Sequence, residues 1–290
     1  VIYFLTVNYY STNLIAKLIS SLPSGKNLDF KVIIINNSSD DDSIANLKDE
    51  HVIILNAAKN LGFGNACNLG LKFIYAEDPQ AIVWIINPDA YLIESDLDKV
   101  QSFFKSHPEI SILGTIIHTP AGEVWFAGGY FNVKTGEISS RNLFTDQNRD
   151  YIKCDWVTGC SFIINLCNFR ECPLFDPAYF LYYEDFDFCQ RYAQQGHLIA
   201  VTQKFGVIHQ PSSITNKYVF RKIKNSTYGY LLSLDRYTNQ LVLNLRLTRL
   251  IFYALVLIFI KPQIGLGKID GIFLYWWKGR NTILKKECDK

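Results

Sequence analysis

Three short segments of this 290-residue chain leave acidic or imidazole groups where a regular run ends. Asn87-Pro88-Asp89 directly follows an apolar run, residues 81–86. Proline fixes φ and lacks an N–H, so it stops a strand and leaves the next aspartate at the strand's carboxyl edge. A carboxylate there suits a hard divalent cation bound to substrate phosphates; taken alone, the segment also reads as an Asx turn with a solvated aspartate. Glu184-Asp185-Phe186-Asp187 then sets three carboxylates within four residues at the start of a helical pattern. The helix dipole favours acidic residues there, so capping accounts for part of the cluster. Asp187 and Arg191 stand at i and i+4 and are expected to pair on one face. Asp185 lies about 200° from Asp187 around the helix (two steps of ~100°), faces a different environment and can act as a general base towards a hydroxyl. His209 ends a further short run after Gly206-Val207-Ile208. A lone histidine is usually a structural hydrogen-bonder, and only the shared strand-end position with Asp89 admits a metal role.

Asn60-Leu-Gly62-Phe63-Gly64-Asn-Ala-Cys67-Asn68-Leu-Gly70 is a glycine-bearing loop entering a helix, able to bring backbone N–H groups close to a ligand. It is no dinucleotide fingerprint: Cys67 stands where the third glycine belongs, and the loop follows the third apolar run rather than the first. Two polar segments, Val7-Asn8-Tyr9-Tyr10-Ser11 and Asn36-Asn37-Ser38-Ser39-Asp40-Asp41-Asp42-Ser43, end the first two runs. The acidic stretch would repel phosphate and reads as helix capping. Asn36, at the strand end itself, is placed to hydrogen-bond a base or ribose.

These residues need elements to position them. Residues 2–7, 31–35, 52–55 and 81–86 are short β-rich runs; 13–22, 43–48 and 65–75 between them have helical spacing. Strands alternating with helices predict βαβ units, a parallel sheet covered on both faces and ligands beyond the strands' carboxyl ends. From about 110 to 164, short runs broken by Gly-containing turns predict hairpins. A helix over 185–195, runs at 198–201 and 207–208, and a turn at Pro211-Ser-Ser complete this region.

In order, five segments resemble the inverting glycosyltransferases of family 2, in the rhamnosyltransferase-like branch that builds bacterial surface polysaccharides. They are T-V-N-Y-Y-S, I-I-I-N-N-S-S-D-D-D-S, N-L-G-F-G-N-A-C-N-L-G, I-N-P-D-A and F-D-P-A-Y-F-L-Y-Y-E-D-F-D-F-C-Q-R, with G-V-I-H trailing. The resemblance covers residues 1–215. It implies a GT-A fold: an α/β, Rossmann-like, mixed and mostly parallel sheet with helices on both faces. It implies Asp185 as catalytic base, with Glu184 supporting the acceptor site. Asp89 and His209 would hold Mg²⁺ or Mn²⁺, with Asp89 gripping the donor diphosphate through the ion. Val7, Asn8, Asn36, Gly62, Phe63 and Asn68 would border the nucleotide, and Gly159 would allow close approach near donor and acceptor. The implied partners are a dTDP- or UDP-linked sugar and a saccharide or lipid-linked acceptor, with no nucleic acid. The family's usual Asp is replaced by Asn36, Gly64 and Cys67 depart mildly from G-F-A-x-x-x-N, and N-P-D lacks the first acid of D-x-D. A nucleotide-sugar-binding protein without transferase activity and a nucleotidyltransferase of similar fold are the competing readings.

The chain's formal charge of +2 hides a split: residues 216–290 carry 14 Lys/Arg and 4 Asp/Glu, and residues 1–215 carry 15 and 23. The basic, aromatic, helix-like segment 216–290 is expected to be a C-terminal helical appendage that touches a membrane surface. Its eleven-residue apolar run, 250–260, is too short to span a bilayer and reads as either a core or an interfacial helix. Seven cysteines without a C-x-x-C pair predict reduced, buried thiols. The opening apolar run is too short for a signal peptide. Both features predict a cytoplasmic protein, peripheral on the inner membrane face.

Overall fold

The computed structural model describes residues 1–23, 30–93, 97–144, 149–210 and 218–288, the last ten of these as helix backbone. The four leading apolar runs form parallel strands β1 (Ile2–Asn8), β2 (Phe30–Asn36), β3 (Val52–Asn56) and β4 (Ile82–Ile86). Helices α1 (Thr12–Ser20) and α2 (Phe63–Glu77) and a 3₁₀ turn (Asp42–Leu47) connect them. Next come β5 (Ala90–Leu92), α3 (Leu97–Ser106), β6 (Ile110–His118), β7 (Val124–Phe126), β8 (Gly129–Asn132), β9 (Glu137–Ser140), β10 (Ile152–Lys153), β11 (Ser161–Asn165), α4 (Glu184–Gln194) and β12 (Leu198–His209). The main sheet runs β10-β12-β6-β11-β4-β1-β2-β3, with β5 on β12 and β7 on β6; β8 and β9 pair separately.

Period-two alternation explains why the sheet is covered twice. Phe4, Trp84 and Ile163 point to one face, against Ile15 and Leu18 of α1 and Val100, Phe103 and Phe104 of α3. Leu5, Val83 and Ile85 point to the other, against Ala66, Leu71 and Ile74 of α2 and Phe188 and Tyr192 of α4. Each such side chain contributes roughly 1.5–3 kcal/mol by leaving water. The sheet is mixed and mostly parallel.

Several expectations change. Turns near Pro120–Gly122 and Gly136 do close the β6–β7 and β8–β9 hairpins, but β6 and β11 belong to the main sheet. Their side chains are buried on both faces, as an internal strand requires, and β11 lies antiparallel between β4 and β6. The runs 198–201 and 207–208 are one strand, β12, irregular between Thr202 and Gly206. Helix α3 was not foreseen, although Leu97, Val100, Phe103 and Phe104 recur at helical spacing; it is short and buries only the last three of them. The turn at Pro211-Ser-Ser lies outside the described residues. Six described cysteines are free thiols, and Cys167 is exposed where a buried thiol was expected.

The chain divides into two compact units. The first comprises Val1–Tyr130, Ile138–Phe180 and Glu184–Pro211; the second comprises Phe131–Glu137, Leu181–Tyr183 and Ser212–Lys290. The second holds α5 (Val219–Tyr237), α6 (Gln240–Ile260) and α7 (Pro262–Cys288), around Leu231, Leu234, Leu243 and Ile272. The run 250–260 is therefore not a free-standing eleven-residue segment but the end of a 21-residue helix. By length and composition α6 could cross a membrane, with mean hydropathy 1.9 over its most apolar window. Only 22% of that window is buried, which removes the core-helix reading.

Helix α4 is fixed by an internal ion pair. Asp187 is fully buried and accepts from Arg191 Nε at 2.7 Å, as the i,i+4 spacing predicted, while an Arg191 terminal nitrogen donates to Leu174 O at 2.8 Å. Removing one partner strands the other, although Arg191 reaches some solvent. Asp187→Ala is expected to lower the unfolding free energy by about 2–4 kcal/mol, read as a lower urea midpoint at unchanged slope.

Candidate active site

The register of β11 on β4 pairs Ser161 with Ile86, so the residues just before β11 lie beside those just after β4. Asn87 N–H donates to Cys160 O at 2.9 Å. One residue earlier, Gly159 N–H donates to Asp185 Oδ2 at 2.8 Å, and Phe186 N–H donates to Asp185 Oδ1 at 2.8 Å. The Asp185 carboxylate is thus held at the start of α4 by one N–H from its own helix and one from across the sheet edge. It keeps some surface open to solvent, yet burial among protein atoms raises its pKa, partly offset by those N–H bonds. Glu184 beside it is buried, and its Oε2 has no hydrogen-bond partner among the described residues. Burial, then the neighbouring Asp185 charge, raises the Glu184 pKa. Tyr182 and Tyr183, immediately before the pair, both have left-handed backbones (φ 71° and 69°). Large side chains seldom adopt this conformation, at a cost of about 1–3 kcal/mol each, so strain sits at the entry to the acidic turn.

Asp89 and His209 meet because β12 pairs antiparallel with β5, His209 opposite Ala90, and Gln210 N–H donates to Asp89 O at 2.9 Å. His209 Nε2 lies 3.3 Å from Asp89 Oδ1, and its buried Nδ1 has no partner among the described residues. One carboxylate and one imidazole form a mixed O/N donor pair that suits Mn²⁺ or Mg²⁺ when substrate phosphates supply further oxygens. Among the described residues no cluster of three or more His, Cys, Asp or Glu could hold a metal ion. The pair therefore fits a cation that arrives with a diphosphate rather than a closed protein cage.

Trp125 was not among the predicted site residues. On β7, Phe126 pairs with Ile117 and Val124 with His118, which leaves Trp125 as the extra residue of a bulge. Its ring centroid lies 4.8 Å from that of His209, and 45% of the residue is exposed. A bulge re-aims a side chain, and nothing in Val124-Trp125-Phe126 announces one.

The two halves share a neighbour. Burial pushes the Cys160 thiol well up, and the Asp89 and Asp185 charges both add to that shift. Gly62 (φ 79°) needs its lack of a side chain, because a Cβ would lie 2.0 Å from Phe180 O. Phe63 N–H bonds that same oxygen at 3.1 Å. The Phe63 ring fills the space a Gly159 Cβ would take, so Gly62, Phe63, Gly159 and Asp185 converge. Asn68 donates to Phe175 O (2.9 Å) and accepts from Phe175 N–H (2.8 Å), clamping the segment that leads to α4.

The asparagines at the first strand ends work inward. Asn8, Asn36 and Asn56 are neighbours in register. Buried Asn8 donates to Asn36 Oδ1 (3.1 Å) and Asp41 Oδ2 (3.2 Å) and accepts from Ser11 N–H (2.9 Å). Asn36 donates in turn to Asn56 Oδ1 at 3.1 Å. The amide expected to meet a base or ribose is spent on the framework, which leaves backbone and loop shape as the means of contact. Val7 is buried in β1. Asn37, also not foreseen, accepts from Leu61 N–H at 2.8 Å and fixes the glycine loop. Asp41 caps the 3₁₀ turn through Ser43 N–H, as the capping reading required.

With this geometry in place, likeness to known proteins decides the family. The model of "Glycosyl transferase family 2" matches residues 4–169, more than half of the chain. The chain belongs to glycosyl transferase family 2. This glycosyltransferase is 25% identical over 224 residues to an N-acetylglucosaminyl-diphospho-decaprenol L-rhamnosyltransferase of Mycobacterium tuberculosis, covering 69% of this chain and 73% of that one. It is 21% identical over 213 residues to the low-salt glycan biosynthesis hexosyltransferase Agl10 of Haloferax volcanii, covering 70% and 65%. Among solved structures, GalNAc-T7 with UDP, GalNAc and Mn²⁺ has a TM-score of 0.57 at 14% identity, covering 79% of this chain and 47% of that one. Staphylococcus aureus TarS with UDP-GlcNAc scores 0.53 at 15% identity, covering 80% and 65%. Mannosyltransferase PcManGT of Pyrobaculum calidifontis, with GDP-Man and Mn²⁺, scores 0.55 at 12% identity, covering 96% and 87%. The fold is GT-A, and the likeness to a rhamnosyltransferase-like protein stands.

The buried acidic pair makes stability pH-dependent. Both carboxyls hold their protons to higher pH folded than unfolded, so stability falls as pH rises from the ordinary carboxylate range through the raised values. Glu184→Gln deletes one such ionisation. Its urea midpoint is expected to match the parent's at about pH 5 and to exceed it by about 1 kcal/mol equivalent or more at about pH 9.

Proposed function

We propose that this glycosyltransferase transfers a hexose, with inversion, from a nucleotide diphosphate sugar to a saccharide or lipid-linked saccharide. The observation that carries the reading is the Asp185 carboxylate, held by Gly159 N–H at 2.8 Å, on the same sheet edge as the Asp89–His209 pair. Inversion requires a base on the face opposite the leaving group, and Asp185 is a partly exposed carboxylate whose direction is fixed by two N–H bonds. Its raised pKa makes it a better proton acceptor from an acceptor hydroxyl than a solvated aspartate. Asp89 and His209 would hold Mg²⁺ or Mn²⁺, which when bound takes up the charge developing on the departing diphosphate. Glu184, with its raised pKa, keeps a proton more readily than a solvated glutamate and limits negative charge beside the base. Gly62, Phe63 and the clamp at Asn68 shape the nucleotide wall, with Val7, Asn8 and Asn36 setting the loop behind it.

The M. tuberculosis relative's name supports rhamnose as the transferred sugar and a lipid-linked acceptor; the UDP-bound TarS structure supports UDP as the donor's nucleotide, with dTDP the other nucleotide to test. The basic second unit supports action at the cytoplasmic face of a membrane, where such an acceptor resides. A binding protein without transferase activity could use a cation for the diphosphate but would need no base.

Calorimetry with UDP and dTDP, with and without Mn²⁺, tests the site. Binding is expected to be enhanced at least about tenfold by Mn²⁺ in the parent, and the enhancement lost in Asp89→Asn and His209→Ala. Metal-independent binding would contradict it. A panel of nucleotide sugars, scored by release of the nucleoside diphosphate, identifies the donor; no release from any of them would favour the binding protein.

A further inference from the structure

Helix α6 is long enough to cross a bilayer, yet its packing partners forbid it. α6 and α7 run as an antiparallel pair: Gly265 sits against the Ile258 backbone, and Lys268 Nζ lies 5.6 Å from the Tyr253 ring. The same α7 packs on α5 through Gly267 and Gly271, whose missing side chains admit the backbone of Phe220 and Lys224. Lys224 Nζ of α5 pairs with Asp270 Oδ2 of α7 at 2.7 Å. If α6 spanned, Tyr253 near its middle would lie at the bilayer midplane, and Lys268, Asp270 and Lys224 would be carried in with it. Charge at that depth is strongly disfavoured, and Lys268 has no acidic partner there to offset it among the ion pairs of the described residues.

The opposite side of α6 is bare and apolar. Leu241, Leu245, Phe252 (71% exposed), Leu255 and Phe259 (89% exposed) recur at steps of four, seven, three and four residues on one helix face, interrupted by exposed Thr248. On α7, Leu266, Phe273 and Trp277 recur at seven and four. Exposed Arg249 and Lys261 border the α6 stripe, and residues 216–290 carry 14 basic against 4 acidic groups. An apolar stripe edged by cations, with tryptophans nearby, matches an anionic bilayer surface better than a second, equally basic copy of the chain.

We propose that α6 is an in-plane anchor: it lies along the interface of an anionic membrane, apolar face down, and does not cross it. This deepens the membrane contact given under Proposed function and rests on the second unit alone, so it stands or falls independently of the transferase chemistry. Leu245, Phe252 and Phe259 are seven residues apart on that face, so an in-plane helix puts all three at one depth. The full-length chain is prepared as Leu245→Trp, Phe252→Trp and Phe259→Trp, each bound to vesicles of about 70:30 phosphatidylcholine and phosphatidylglycerol. Bromines at graded acyl-chain positions report depth by quenching relative to the parent protein.

The three reporters are expected to be quenched alike and most strongly by the shallow bromines. Vesicle binding is expected to weaken at least about threefold between 0.1 M and 0.5 M salt. Deepest quenching at position 252 would mean a spanning helix, and deepest at 259 an inserted tip; either overturns the proposal. So would the absence of vesicle binding, with or without a concentration-dependent dimer in sedimentation.

Discussion

One antiparallel strand sets the spacing of the acidic groups in this enzyme. The other main-sheet strands around β4 and β1 run parallel and present their carboxyl ends to one edge, but β11 enters between β4 and β6 from that edge. Its first residue pairs with the last of β4, so the Thr158–Cys160 turn is locked against the Asn87–Asp89 turn by the Asn87–Cys160 backbone bond. Gly159 then has only one N–H to offer, and it goes to Asp185. The placement of Asp185 relative to the Asp89–His209 pair is thereby fixed by sheet register, which is stiff, rather than by loop conformation.

Electrostatics follow from that placement. Asp185 and Glu184 are adjacent and desolvated, which raises both pKa values, while the His209 imidazole lies 3.3 Å from Asp89. The two sites are close enough for Cys160 to feel both, yet each has its own backbone anchor. Around them polar capacity is spent on rigidity: the Asn8–Asn36–Asn56 ladder, the Asn37 hold on the glycine loop and the Asn68 clamp all satisfy backbone or one another. A buried polar network of this kind costs little when complete and specifies one arrangement.

The sequence was most legible where structure is local. Strands β1 to β4 and helices α1, α2 and α4 lie close to their expected positions because apolar period and turn residues act over a few residues. The Asp187–Arg191 pair followed from helix geometry alone. What was hidden is non-local. The insertion of β11 is a pairing choice across the chain that no local pattern encodes. Trp125 reaches His209 only through a bulge, and Asn36 was read as facing a ligand because its neighbours in register could not be seen. Helix α6 was cut to its most apolar half because Arg246 and Arg249 interrupt the run, though both sit within a continuous helix. The charge asymmetry was visible from the outset, and the structure gives it a surface: a bare apolar face bordered by cations.

The central claim is that Asp185 serves proton transfer while the Asp89 side serves donor binding. The direct test is Asp185→Asn, which nearly preserves side-chain shape, keeps one of the two N–H bonds and removes the base. Nucleoside diphosphate release from the nucleotide sugar, measured beside calorimetric donor affinity, should fall by at least about a hundredfold with affinity within about threefold of the parent. Near-normal turnover would contradict the assignment.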